Sequence, residues 1–113
     1  MIIKKETHPI ERREHMRGGD GTAVLTALTG ELPKNLRLFS MIRLEPGASI
    51  GYHVHEKETE LFHFISGSGI VDDNGVAARV SAGDTMSTPS GFGHSVKNDG
   101  EEDLVFLAAI VRD

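Results

Sequence analysis

Residues 47–67 read Gly47-Ala48-Ser49-Ile50-Gly51-Tyr52-His53-Val54-His55-Glu56-Lys57-Glu58-Thr59-Glu60-Leu61-Phe62-His63-Phe64-Ile65-Ser66-Gly67. In an extended strand, side chains two apart share a face, so His53 and His55 project their imidazoles side by side. The run Glu56 to Thr59 has the polar composition of a turn, and Glu60 opens an apolar run through Ile65. A hairpin-like reversal there brings the Glu60 carboxylate towards the two rings. Two neutral imidazoles and a carboxylate suit a divalent transition metal. Taken alone, the same residues also fit a surface strand whose acid never meets its histidines.

A second stretch changes that weighting. Gly83-Asp84 begins another strand-like run, Pro89-Ser90-Gly91 marks a turn, and His94 stands at the start of the strand that leaves it. His94 offers a fourth donor from a different part of a sheet. Asn98 follows four residues later.

The spacing resembles the cupin family, whose motifs are G-x5-H-x-H-x3/4-E-x6-G and G-x5-P-x-G-x2-H-x3-N. Gly47, His53, His55, Glu60 and Gly67 match the first, and Gly83, Pro89, Gly91, His94 and Asn98 match the second. If each position agreed at an average usage of about one in twenty, chance agreement in a fixed frame would be roughly 10⁻¹³, which removes coincidence. The resemblance implies an all-β fold, the double-stranded β-helix or jelly-roll cupin barrel. It implies His53, His55, Glu60 and His94 as ligands of one divalent transition metal per chain. Ligand softness, with no thiolate, favours Mn or Fe and admits Zn, Ni, Co or Cu. An ion at +2 with one carboxylate keeps a charge near +1 and open positions, which suits a small chelating anion.

Length and composition agree with a single small domain. The 113 residues can bury one core, and the absence of cysteine removes disulfide and thiolate chemistry. A formal charge of −5 with no basic cluster argues against nucleic acid as a partner. No apolar leader or membrane-length stretch occurs, so a cytoplasmic protein without membrane contact is expected.

Residues 1–21 form an N-terminal extension, with Ile2-Ile3-Lys4 extended and Glu11 to Arg17 a polar run rich in charge. Gly18-Gly19-Asp20-Gly21 reads as a flexible hinge, and the resemblance implies that the extension packs on, or exchanges with, a partner subunit in a homodimer. Residues 22–113 form the barrel. Thr22 to Thr29 has strand composition with some helical ambiguity, and Leu36 to Leu44 alternates without a polar face. Asn74-Gly75 between two apolar runs signals a tight hairpin. Further strands are expected near 69–72, 76–80, 85–88, 95–97 and 104–111. That pattern of nine or ten short strands indicates a β sandwich or barrel.

Around the metal, Met41, Phe62 and Met86 are candidates for the substrate pocket, giving an apolar wall with little cationic capacity. His63 lies three residues beyond Glu60 and so faces away from the metal; His8 and His15 are expected in solvent. Oxalate-decarboxylating cupins carry an arginine shortly before the first metal histidine and have two cupin domains; Ser49 to Tyr52 contains no cation. No separate general base stands out. The function expected is binding or conversion of a small carboxylate or 2-oxo acid at the metal, as a dioxygenase, decarboxylase or isomerase. The alternative is a non-catalytic, metal-anchored small-molecule binding protein.

Overall fold

Ten strands carry the chain in a computed structural model that describes all residues, 1–113. In order they are β1 (Ile10–Glu14), β2 (Thr22–Ala27), β3 (Leu36–Leu44), β4 (Ser49–Val54), β5 (Glu58–Ser66), β6 (Ser68–Asp73), β7 (Val76–Ser81), β8 (Thr85–Thr88), β9 (Gly93–Lys97) and β10 (Leu104–Arg112). They form a six-stranded sheet, β1-β2-β3-β10-β5-β8, and a four-stranded sheet, β4-β9-β6-β7. All neighbouring pairs are antiparallel. This is the jelly-roll arrangement of two packed sheets, and no helix is long and apolar enough to cross a membrane.

Alternation explains which residues face the interior. On β10, Leu104, Phe106, Ala108 and Ile110 are buried while the residues between them are half-exposed. Phe62 and Phe64 of β5 meet Phe106, with ring centroids 4.6 and 5.3 Å away. Ile42 and Leu44 of β3, Ile50 of β4, and Val71 and Val96 of the smaller sheet complete the core. Asn74 and Gly75 both take positive φ, 49° and 96°, and join β6 to β7 as the tight hairpin the sequence signals.

Asn98 is completely buried and has a structural task. Its amide nitrogen donates to the carbonyls of Leu44 and Glu102, at 2.8 and 2.7 Å, and its oxygen accepts from the Gly100 amide.

The N-terminal part differs from its expected form. Residues Ile10 to Glu14, which overlap the charge-rich run from Glu11, stay exposed but pair along their whole length with β2 of the same chain. Ile2 to Lys4 lie outside the sheets. The glycine run is no loose hinge, because Gly19 is buried and its backbone packs on that of Ser49 and Gly51. A Cβ built on Gly51 would collide with the Arg17 carbonyl, so the close approach requires glycine. The Ser49 amide donates to the Asp20 carbonyl at 2.8 Å, and the Asp20 amide donates to the Ser49 hydroxyl at 2.8 Å.

Two irregularities in register decide what faces the open end of the sandwich. Ile50 pairs with Val96 and His53 with His94, so β4 carries one residue more than β9 between these pairs. This bulge at Gly51-Tyr52 puts both Ile50 and His53 inside despite their odd spacing. On β3, Leu38 pairs with Ile110 but Leu36 with Val111, leaving Arg37 as the extra residue.

Candidate metal centre

His53 and His55 come from β4 and the turn after it, Glu60 from β5 and His94 from β9. His55, Glu60 and His94 are buried and His53 is half-buried. The four donor atoms all lie within 4.8 Å of one another. His55 Nε2 and His94 Nε2 are 3.2 Å apart, and His94 Nε2 is 3.3 Å from His53 Nε2. Glu60 Oε1 is 2.9 Å from His55 Nε2, 3.0 Å from His94 Nε2 and 4.0 Å from His53 Nε2.

These separations fit one ion. Donors about 2.1 Å from an octahedral ion lie about 3.0 Å apart when adjacent and about 4.2 Å apart when opposed. Four of the separations are of the adjacent kind, and His53 to Glu60 approaches the opposed kind.

Each ring is held by its other nitrogen. His53 Nδ1 lies 2.8 Å from the Gly51 carbonyl, His94 Nδ1 2.7 Å from the Thr88 hydroxyl and His55 Nδ1 2.6 Å from a Glu58 carboxylate oxygen. Such partners fix the tautomer that aims Nε2 at a metal. The Gly51 carbonyl belongs to the β4 bulge, so the irregularity both turns His53 inward and orients it. Phe62 stacks on His94, with centroids 4.9 Å apart and planes 20° from parallel.

Burial, chiefly, holds the His53 pKa below its ordinary value, and the charges of His94, Arg17 and His55 act in the same direction. A ring that resists protonation stays available as a ligand. Arg37 reaches Glu58 through two hydrogen bonds, at 2.9 and 2.7 Å, and with a smaller contribution from His55 it lowers the Glu58 pKa to about 2. Because the folded value lies below the unfolded one, the stability Glu58 contributes is complete above about pH 4.5 and fades as pH falls towards 2. Arg37→Met is therefore expected to loosen His55 and weaken metal affinity by about 10–100-fold while the protein remains folded. Competition with a metal-sensitive dye measures this.

A cavity of about 560 Å³ opens from the centre, with Leu25, Leu38, Ile42, Ile50, Phe62 and Ile110 supplying its apolar wall. Of the three pocket candidates only Phe62 lines it. Met41 lies on the other face of β3, since its neighbours Ser40 and Ile42 are the buried ones. Met86 is buried in the core, paired with Phe62 across β5 and β8. His63 faces outward, as its parity predicts, with Nδ1 2.8 Å from the Thr85 hydroxyl.

The expectation of few cations fails at the mouth, where Arg13, Glu14, His15, Met16, Arg17 and Arg37 line the cavity. Strict alternation puts Arg37 outside; the β3 bulge re-aims it. His15 is exposed, as expected, and its Nδ1 lies 3.1 Å from the Gly19 carbonyl, which helps close the loop beside the cavity.

The fold and the four donors define a metal-site jelly roll, and the Cupin domain family matches residues 40–110; the chain belongs to the cupin family. It is 38% identical over 113 residues to a protein of Thermotoga maritima named oxalate-binding protein, across 98% of this chain and 93% of that one. A crystal structure from the same organism, described as a predicted oxalate decarboxylase, superposes with a TM-score of 0.92 at 38% identity, covering 100% of both chains. The oxalate decarboxylase of Bacillus subtilis is 34% identical over 73 residues, which are 60% of this chain and only 19% of that enzyme.

Proposed function

We propose that the chain binds a compact chelating dicarboxylate, oxalate by size and charge, at a divalent Mn or Fe ion held by His53, His55, Glu60 and His94. One observation carries this reading: the donors cannot be coplanar. Arranging the four as two opposed pairs always makes a pair out of atoms 2.9–3.3 Å apart, which are adjacent. A six-coordinate ion therefore keeps two neighbouring open positions, the arrangement a bidentate acid fills. The ion would supply Lewis acidity and positive charge; the apolar wall excludes water around the chelate. The names of the Thermotoga relative and of the Bacillus enzyme point to the same ligand.

Titrating metal-loaded and chelator-stripped protein with oxalate, pyruvate and a sugar phosphate tests the reading. Oxalate is expected to bind best and only with metal. Equal binding of the sugar phosphate with and without metal would overturn it. Turnover of the bound acid is a second reading, supported by Glu14, which lines the cavity and makes no ion pair or side-chain hydrogen bond. Formate or carbon dioxide release from oxalate distinguishes an enzyme from a binding protein.

A homodimer goes with this reading. The outer face of the larger sheet presents Leu61 and Ile65, 39% and 48% exposed, beside half-exposed Phe39, Met41 and Leu107. Residues 10–14 have their pairing within the chain, so strand exchange would fall to residues 1–9. Leu107→Glu is expected to give monomers by light scattering, whereas deleting residues 1–9 separates exchange from face-to-face packing.

A further inference from the structure

We propose that Arg17 grips the outward carboxylate oxygens of the chelated acid, making the loop after β1, rather than a barrel strand, the element that selects dianions. The inference rests on the metal-anchored reading above. Three arginines line the cavity, but two are engaged: Arg13 pairs with Glu11 through two hydrogen bonds at 2.9 and 3.1 Å, and Arg37 pairs with Glu58. Arg17 has no carboxylate within ion-pair distance and no side-chain hydrogen bond. It lines the same cavity as His53, His55 and Glu60.

The loop that carries Arg17 is held in an unusual backbone conformation beside the cavity. His15 (φ 51°, ψ 42°) and Arg17 (φ 54°, ψ 31°) both take left-handed conformations that residues with a Cβ avoid. Such conformations persist where the surroundings over-determine them, and they concentrate at functional positions. The surroundings here are the Gly19 and Gly51 backbones in contact, the His15 ring on the Gly19 carbonyl, and the His15 amide donating to the Gly21 carbonyl at 2.9 Å.

Charge supplies the selectivity. A divalent ion with Glu60 leaves about +1, enough for a monoanion but one short of an oxalate dianion. Arg17 contributes the missing charge in a planar fork that matches a carboxylate edge. Glu14, also on the lining, acts in the opposite sense and keeps the far end of the cavity unsuitable for a second, distant carboxylate.

Calorimetric titration of Mn-loaded wild type, Arg17→Gln, Arg17→Lys and Glu14→Gln with oxalate and with pyruvate tests this, after metal content is shown to be equal. Loss of a charge-assisted fork is expected to weaken oxalate about 10–100-fold in Arg17→Gln. Pyruvate should lose less, Arg17→Lys should fall between, and Glu14→Gln should bind oxalate more tightly than wild type. Oxalate binding unchanged in Arg17→Gln would overturn the role of Arg17 and leave the chelation reading standing. Wild type that binds metal but not oxalate would overturn both.

Discussion

Replacing His94 with alanine is expected to abolish metal binding and, with it, any metal-dependent rise in melting temperature. His94 Nε2 sits within 3.3 Å of both His53 Nε2 and His55 Nε2 and 3.0 Å from Glu60 Oε1, so it touches every other donor of the set. Losing a partner that merely orients a ligand weakens metal affinity by about 10–100-fold, and losing the donor itself should exceed that. Saturating metal at about 100 times its dissociation constant stabilises the native state by about 2.7 kcal/mol, which the variant would forgo. His63→Ala provides the comparison, because the His63 ring bonds Thr85 on the outer face, and this variant should load one ion per chain like wild type. Elemental analysis of desalted protein reads both, and full occupancy in His94→Ala would sink the site assignment.

Asn98→Ala should do the reverse, damaging the fold while sparing the chemistry. The substitution leaves the buried Leu44 carbonyl, and the part-buried Glu102 carbonyl and Gly100 amide, without their partner. Buried polar groups left unsatisfied cost about 1–3 kcal/mol each, and allowing for relaxation the total should be about 3 kcal/mol. For a chain of this length that lowers the melting temperature by roughly 10–15 °C. None of these contacts reaches a donor atom, so the metal content of the folded variant should match wild type. A melting temperature within about 2 °C of wild type would show that another group or solvent takes over the asparagine's bonds.

Most of the fold was legible in the sequence because its turns are chemically marked. Asn74-Gly75, Gly83-Asp84 and Pro89-Ser90-Gly91 bracket strands whose inward residues alternate with outward ones. The grouping of His53, His55, Glu60 and His94 was legible through the two cupin motifs they match; spacing alone left open a strand whose acid never meets its histidines. What escaped notice lacks those signals. Strand β1, Ile10 to Glu14, is exposed at every position, so it has no hydrophobic period to detect. Arg37 could not be assigned to the cavity because alternation within β3 is blind to an extra residue counted against β10. Met41 is a pocket candidate by residue type alone, and its parity on β3 opposes the assignment. The loop carrying Arg17 was hidden because a glycine needed for close backbone approach has the same composition as a glycine in a flexible hinge.

The β4 bulge makes this part of the chain unequally tolerant of two kinds of change. Ile50 and His53 are three residues apart yet face the same way, so one residue between them is surplus to the alternation. A homologue lacking Tyr52 would span Val96 to His94 in unbroken register and still present both histidines inward, whereas one that keeps the length but carries valine at Gly51 would have to evict the Arg17 carbonyl or turn a histidine out. A gap here thus keeps the histidines facing inward while giving up the bulge carbonyl that holds His53 Nδ1, and a bulky residue at 51 does not keep them inward without moving the Arg17 carbonyl. Alignments that score a deletion more harshly than a substitution would rank such relatives in the wrong order.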